Sequence, residues 1–110
     1  MAIAIKVLGR RGSDNALLVT VDTGQSVSRL LMDCGEDTVS TLSFADTVQV
    51  EHVLFSHFHM DHVAGFDSFF RRHYDRSTCV NHVWGPPGTA EIMGHRFRGF
   101  VWNLVADRHA

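Results

Sequence analysis

Four metal-ligand side chains fall within six consecutive residues: His57, His59, Asp61 and His62, in the run Ser56-His57-Phe58-His59-Met60-Asp61-His62. Zinc accepts imidazole nitrogen and carboxylate oxygen as donors, and manganese and iron accept them too. His57 and His59 are two positions apart, so on extended backbone both side chains leave the same side. That suits a pair gripping one ion. Asp61 and His62 come where the chain should turn into a helix, so they point elsewhere and suit a second ion. Two ions about 3.5–4 Å apart are a recurring device for phosphoester hydrolysis. The competing reading is a polar surface loop, which leaves four such groups beside an apolar strand without a reason.

The flanking residues must position this cluster. Val53-Leu54-Phe55 reads as a short buried strand. Val63, Phe66, Phe69 or Phe70, and Tyr74 recur at three- and four-residue steps, which predicts one helix over 63–74. These aromatics read as core, and Ala64-Gly65 lets the helix pack closely under the metal loop. The cluster therefore sits at the carboxyl end of a strand, the edge where open α/β sheets build their sites.

Upstream, Ile3, Ile5 and Val7 alternate with Ala2, Ala4 and Lys6, which predicts a half-buried strand over 2–8. A turn-rich loop follows over 9–15, with Arg10 and Arg11 in solvent. Apolar runs over 16–21 and 27–33 flank Asp22-Thr23-Gly24-Gln25-Ser26 and predict a hairpin. Asp33 closes the second run ahead of Cys34-Gly35, where its carboxylate can accept backbone N–H bonds and pin the neighbouring loop. A short helix is expected over 37–45, capped by Asp37 or Thr38. His52 precedes the organising strand and reads as an ordinary polar residue.

Downstream, Arg71, Arg72, His73 and Arg76 gather at the helix end, where cations suit the helix dipole. A phosphate contact is the sharper alternative. Residues 79–84 predict a strand that Gly85-Pro86-Pro87-Gly88 stops. A helix over 89–97 with Thr89 as N-cap and a last strand over 99–105 complete the chain.

Composition narrows the classes. The 110 residues form one small domain at most, and the net charge of −2 gives no general attraction to nucleic acid or membrane surfaces. Two cysteines, Cys34 and Cys79, are too few for a disulfide framework and read as reduced buried thiols. No leader pattern opens the chain and no apolar run is long enough for a membrane span, so the expected location is cytoplasmic.

Ser56-His57-Phe58-His59-Met60-Asp61-His62 resembles the signature of the metallo-β-lactamase superfamily. Leu30-Leu31-Met32-Asp33-Cys34-Gly35-Glu36-Asp37-Thr38 is similar to the "LLxDCGEGT" stretch of the ribonuclease Z branch, and Trp84-Gly85-Pro86-Pro87-Gly88-Thr89 to that branch's "YGPxG" segment. The three stretches stand in the family's order. In the loop over 9–15 that branch carries a Pro-Thr-Lys-x-x-Arg-Asn-like element, and only Asn15 and the arginines echo it here.

The resemblance implies an α/β fold (of α+β type): the amino-terminal half of an αββα sandwich, with 1–110 as a single, incomplete domain. It implies a two-zinc hydrolase, with Mn2+ or Fe2+ as alternative ions, in which His57 and His59 hold one ion and Asp61 and His62 the other. Asp61 would also orient the zinc-activated water and accept its proton, so it is the catalytic candidate. Asp33 would support the metal site from behind its ligands. The superfamily completes its site with a further His, Asp and His downstream; His73, His82, His95 and His109 are poorly placed for that. The implied substrate is a phosphodiester, either RNA, as in tRNA processing, or a cyclic nucleotide. The implied assembly is a homodimer, with no membrane partner. Two other readings compete: hydrolysis of a thioester, lactone or sulfate ester on the same fold, and a non-catalytic truncated fragment that binds metal weakly.

Overall fold

The computed structural model describes residues 1–73 and 80–101. One five-stranded sheet runs in chain order: β1 (Ala2–Gly9), β2 (Asn15–Asp22), β3 (Val27–Met32), β4 (Val50–Leu54) and β5 (His82–Trp84). β1–β2 and β2–β3 are antiparallel, whereas β3–β4 and β4–β5 are parallel. Short turns allow the first arrangement and crossovers containing helices require the second. The β2–β3 turn is closed by Asp22 Oδ1, which accepts the Gly24 N–H at 2.8 Å while Gly24 holds φ at 84°.

Among the described residues four α-helices are interleaved with the later strands: α1 (Phe44–Val48) before β4, α2 (Met60–Val63) and α3 (Phe66–His73) between β4 and β5, and α4 (Thr89–Arg98) after β5. The core lies between them and one sheet face. Leu8, Ala16, Leu18, Leu31 and Val53 from the strands meet Val63, Phe66, Phe69 and Met93 from the helices. Phe97 joins α4 to α3, with its ring centroid 5.0 Å from that of Phe70. Arg96 Nε donates to Asp67 Oδ1 at 2.7 Å across the same contact.

The opposite sheet face is apolar and open. The register puts Val7, Leu17, Met32, Leu54 and Trp84 in one row across it, and Ile5, Val19, Leu30, His52 and His82 in the next. Ile3, Ile5 and Val7 are 58%, 65% and 64% exposed. The expected burial of these three residues is therefore not met. The alternation is real, but the helices lie behind the other face and only Leu8 of β1 is buried.

Several boundaries move for physical reasons. The helix expected over 37–45 is a 3-10 turn, Thr38–Thr41, followed by α1. Asp37 makes no capping side-chain bond there, and Ser43 caps α1 by accepting the Asp46 N–H at 3.1 Å. The single helix expected over 63–74 is α2 and α3, broken at Ala64-Gly65. Gly65 N donates to Cys34 O at 3.0 Å, and a Cβ on Gly65 would collide with Gly35 O. Gly88, with φ at 93°, is the N-cap of α4, so Thr89 is its first helical residue and its hydroxyl donates to Pro86 O at 2.6 Å. Gly99, Phe100 and Val101 form no strand; the rest of the strand expected over 99–105, with Tyr74, Arg76, Cys79 and His109, lies outside the described residues.

Candidate metal centre

The motif follows β4, and β3 lies beside β4 in parallel, so the two strands deliver their carboxyl ends to the same place. Backbone bonds extend that alignment past the strands. Asp33 N donates to Leu54 O at 2.8 Å, and Phe55 N donates to Trp84 O at 2.8 Å. Asp33 itself sits at φ 61°, a left-handed conformation that aspartate tolerates better than most residues. Its carboxylate is thereby set under the motif loop.

Three groups converge on that carboxylate. Ser56 N donates to Oδ1 at 2.8 Å, Ser56 Oγ lies 3.1 Å from Oδ1 and 2.9 Å from Oδ2, and His62 Nδ1 lies 2.8 Å from Oδ2. Burial pushes the Asp33 pKa upward, but the bonds from Ser56 and His62 outweigh it and hold the group below the usual carboxylate range. The hydrogen bond to Asp33 raises the His62 pKa, with partial burial opposing it. In the neutral ring, Nδ1 carries the proton given to Asp33, and Nε2 carries the lone pair. That Nε2 lies 3.4 Å from Asp61 Oδ2.

His57 packs against His62, and His59 packs against His57. The ring centroids of His57 and His62 are 4.0 Å apart, and those of His57 and His59 are 4.4 Å apart. His62 therefore turns back towards His57 instead of pointing away from it. The cause is the Asp33 bond, reinforced by Cys34 N donating to His62 O at 2.7 Å. His57, His59, Asp61 and His62 are thus brought together as neighbouring pairs. Among the described residues, no group of three or more His, Cys, Asp or Glu side chains is arranged to hold one ion. The donor chemistry suits a divalent ion at each pair: imidazole with imidazole, and imidazole with carboxylate.

Other titratable groups are engaged elsewhere. Cys34 is buried, and burial above all pushes its thiol up to about 12, so it offers no thiolate. His73 is buried with Nε2 2.9 Å from Val50 O, and His82 stacks on His52 at 5.3 Å. His95 lies 3.8 Å from Glu91 on the exposed side of α4. His52 is more engaged than an ordinary polar residue, because its Nδ1 accepts the Trp84 indole N–H at 3.0 Å. Arg72 donates to Val39 O at 2.8 Å, which ties α3 to the 3-10 turn.

Two further contributors, Ser56 and Asp14, are not among the residues singled out from the sequence. Ser56 bridges Asp33 and His57, with Oγ 3.0 Å from His57 Nδ1. Asp14 accepts the Glu36 N–H at 2.8 Å and so braces the turn that carries Asp33. Asp14, Asp33, Ser56, Asp61 and His62 border one cavity of about 490 Å³, whose apolar wall includes Leu17, Met32 and Phe55. A hydroxyl directly before the first histidine was the available hint for Ser56; Asp14 had none.

A family model described as anti-Pycsar protein Apyc1 matches residues 8–96. The chain belongs to that family. This Apyc1-family chain is also 52% identical over 108 residues to a ribonuclease Z of Deinococcus radiodurans, a match covering 98% of the chain and 33% of that protein. It therefore spans about a third of the length of this curated relative. The metallo-β-lactamase fold protein YhfI of Bacillus subtilis superposes with a TM-score of 0.65 at 18% identity, over 92% of this chain and 43% of YhfI. The short form of human tRNase Z superposes with a TM-score of 0.61 at 18% identity, over 89% of this chain and 40% of that one. The Apyc1-family chain thus has the metallo-β-lactamase fold, and its resemblance to the ribonuclease Z branch holds. Among the described residues no helix is long and apolar enough to cross a membrane.

Proposed function

We propose that the chain carries the metal-binding part of a metal-dependent phosphodiester hydrolase close to ribonuclease Z. The observation that carries this reading is the Asp33–His62–Asp61 alignment beside His57 and His59, at distances of 2.8 Å and 3.4 Å along the alignment. His57 and His59 would hold one zinc, and Asp61 and His62 a second; manganese or iron would suit the same donors. When bound, such ions supply Lewis acidity towards a phosphoryl oxygen and acidify water. Asp33 keeps the His62 Nδ1 proton in place, so that Nε2 stays available as a donor. Asp61, 64% exposed at the cavity edge, is placed to accept a proton from an attacking water.

Turnover belongs to the protein that completes this site, because the described residues offer their donors only as pairs. In this reading residues 1–110 form one part of a larger metallo-β-lactamase domain, and the open sheet face is where the remainder packs. RNA, including a tRNA precursor, is the substrate favoured by the 52% identical relative; a cyclic nucleotide presents the same phosphodiester. A cytoplasmic homodimer without a membrane partner completes the proposal.

The test is hydrolysis of bis-p-nitrophenyl phosphate and of RNA by the intact protein, alongside its metal content. Zinc-dependent cleavage that is lost in His57→Ala and Asp61→Asn supports the reading. Cleavage of a lactone or thioester with the phosphodiester untouched overturns it in favour of the other ester class. Less than one bound metal with no turnover overturns it in favour of a non-catalytic fragment.

A further inference from the structure

We propose that Ser56 is a positioning residue for His57: its hydroxyl donates to Asp33 and accepts from His57 Nδ1, which makes Nε2 the lone-pair nitrogen of that ring. Ser56 Oγ has polar neighbours at 2.9 and 3.1 Å on Asp33 and at 3.0 Å on His57. A hydroxyl has one proton and two acceptor sites. An ionised carboxylate accepts only, so the serine proton must go to Asp33. If it went to His57 instead, serine and carboxylate oxygens would face each other at 2.9 Å with no proton between them. His57 Nδ1 is then the donor to Ser56. Ser56 N also donates to Asp33 Oδ1 at 2.8 Å, so the serine backbone is pinned on the same carboxylate.

One carboxylate therefore sets the tautomer of two imidazoles. It acts on His62 directly, at 2.8 Å, and on His57 through one hydroxyl. Supporting hydrogen bonds of this kind orient a ligating imidazole and raise its basicity. Without the relay, a neutral His57 reverts to the tautomer favoured in water, with the proton on Nε2, and that proton occupies the donor site. The inference rests on the metal-centre reading for its purpose, but the tautomer itself is a property of the protein without metal.

The experiment is long-range 1H–15N correlation of the histidine rings in the metal-free intact protein at mildly alkaline pH. The wild type should show His57 protonated on Nδ1. Ser56→Ala should move the proton to Nε2, and Ser56→Thr, which keeps the hydroxyl, should restore the wild-type pattern. Zinc affinity, read by chelator competition, should fall about tenfold in Ser56→Ala and recover in Ser56→Thr. Wild-type His57 protonated on Nε2, or an unchanged pattern in Ser56→Ala, overturns the relay. An Nδ1–H pattern in a wild type that binds no zinc supports the relay and overturns the metal-centre reading instead.

Discussion

Asp33 Oδ2 lies 2.8 Å from His62 Nδ1 although the residues are 29 positions apart. The contact exists because β3 and β4 are adjacent and parallel, so residues just beyond their carboxyl ends become neighbours. The motif thus supplies candidate ligands, and a different strand supplies the group that orients them.

Replacing Asp33 should accordingly weaken metal binding without touching a ligand. Asp33→Ala removes the acceptor for both His62 and Ser56, and zinc affinity should fall about 10–100-fold. Asp33→Asn, which keeps one acceptor oxygen, should fall between wild type and alanine. Chelator competition measures both. Wild-type affinity in the alanine variant would show that Asp33 does not act on the site.

The close approach of Gly65 to Gly35 gives a prediction of opposite sign to the usual rule. Where φ is ordinary, Gly→Ala commonly stabilises a chain by about 0.4–1 kcal/mol. Gly65 has no positive φ, yet a Cβ there would meet Gly35 O and crowd Cys34 O. Gly65→Ala should therefore destabilise by about 1–3 kcal/mol, as overpacking does. Urea unfolding midpoints test this, and a raised midpoint would refute the close approach.

Buried His73 gives a pH prediction. Burial lowers its pKa, partly opposed by its bond to Val50 O, so the fold favours the neutral ring. The unfolded chain takes up the proton first, near the ordinary histidine value of about 6.5. Between that value and the lower folded one, the unfolded state binds more protons, so stability rises with pH. The contribution is complete above about pH 6.5 and is lost as the pH falls through the window below it. Unfolding midpoints at pH 7.5, 6.5 and 5.5 should decline less steeply in His73→Gln than in the wild type. Equal slopes would remove His73 as the cause.

Local features were legible in the sequence and long-range ones were not. The four candidate ligands stand within one short run, so their types and spacing could be read directly. Asp33 could be read as a strand-end aspartate, but its contacts with Ser56 and His62 come only with the parallel pairing of β3 and β4. The helix break at Gly65 was hidden because Val63, Phe66 and Phe69 keep their helical spacing across it, and a tertiary bond to Cys34 O makes the break. The exposure of Ile3, Ile5 and Val7 was hidden for a related reason. Period two shows that a strand has two faces but does not say which one the helices cover. Asp14 braces Glu36 from 22 positions away, and nothing local marks it.

The separation between Asp33 and the motif also bears on folding. His57, His59, Asp61 and His62 stay close together in an unstructured chain, so a disordered polypeptide can still offer them to an ion. It cannot offer Asp33, which reaches the motif only after the crossover from β3 to β4 has closed across 23 residues. A ligand stabilises the native state only by the margin with which it prefers that state over the unfolded one. If an ion binds at this candidate centre, part of that margin would reside in a carboxylate placed behind the candidate donors, so a metal-induced gain in stability would report the docking of β3 on β4 as well as the presence of histidines.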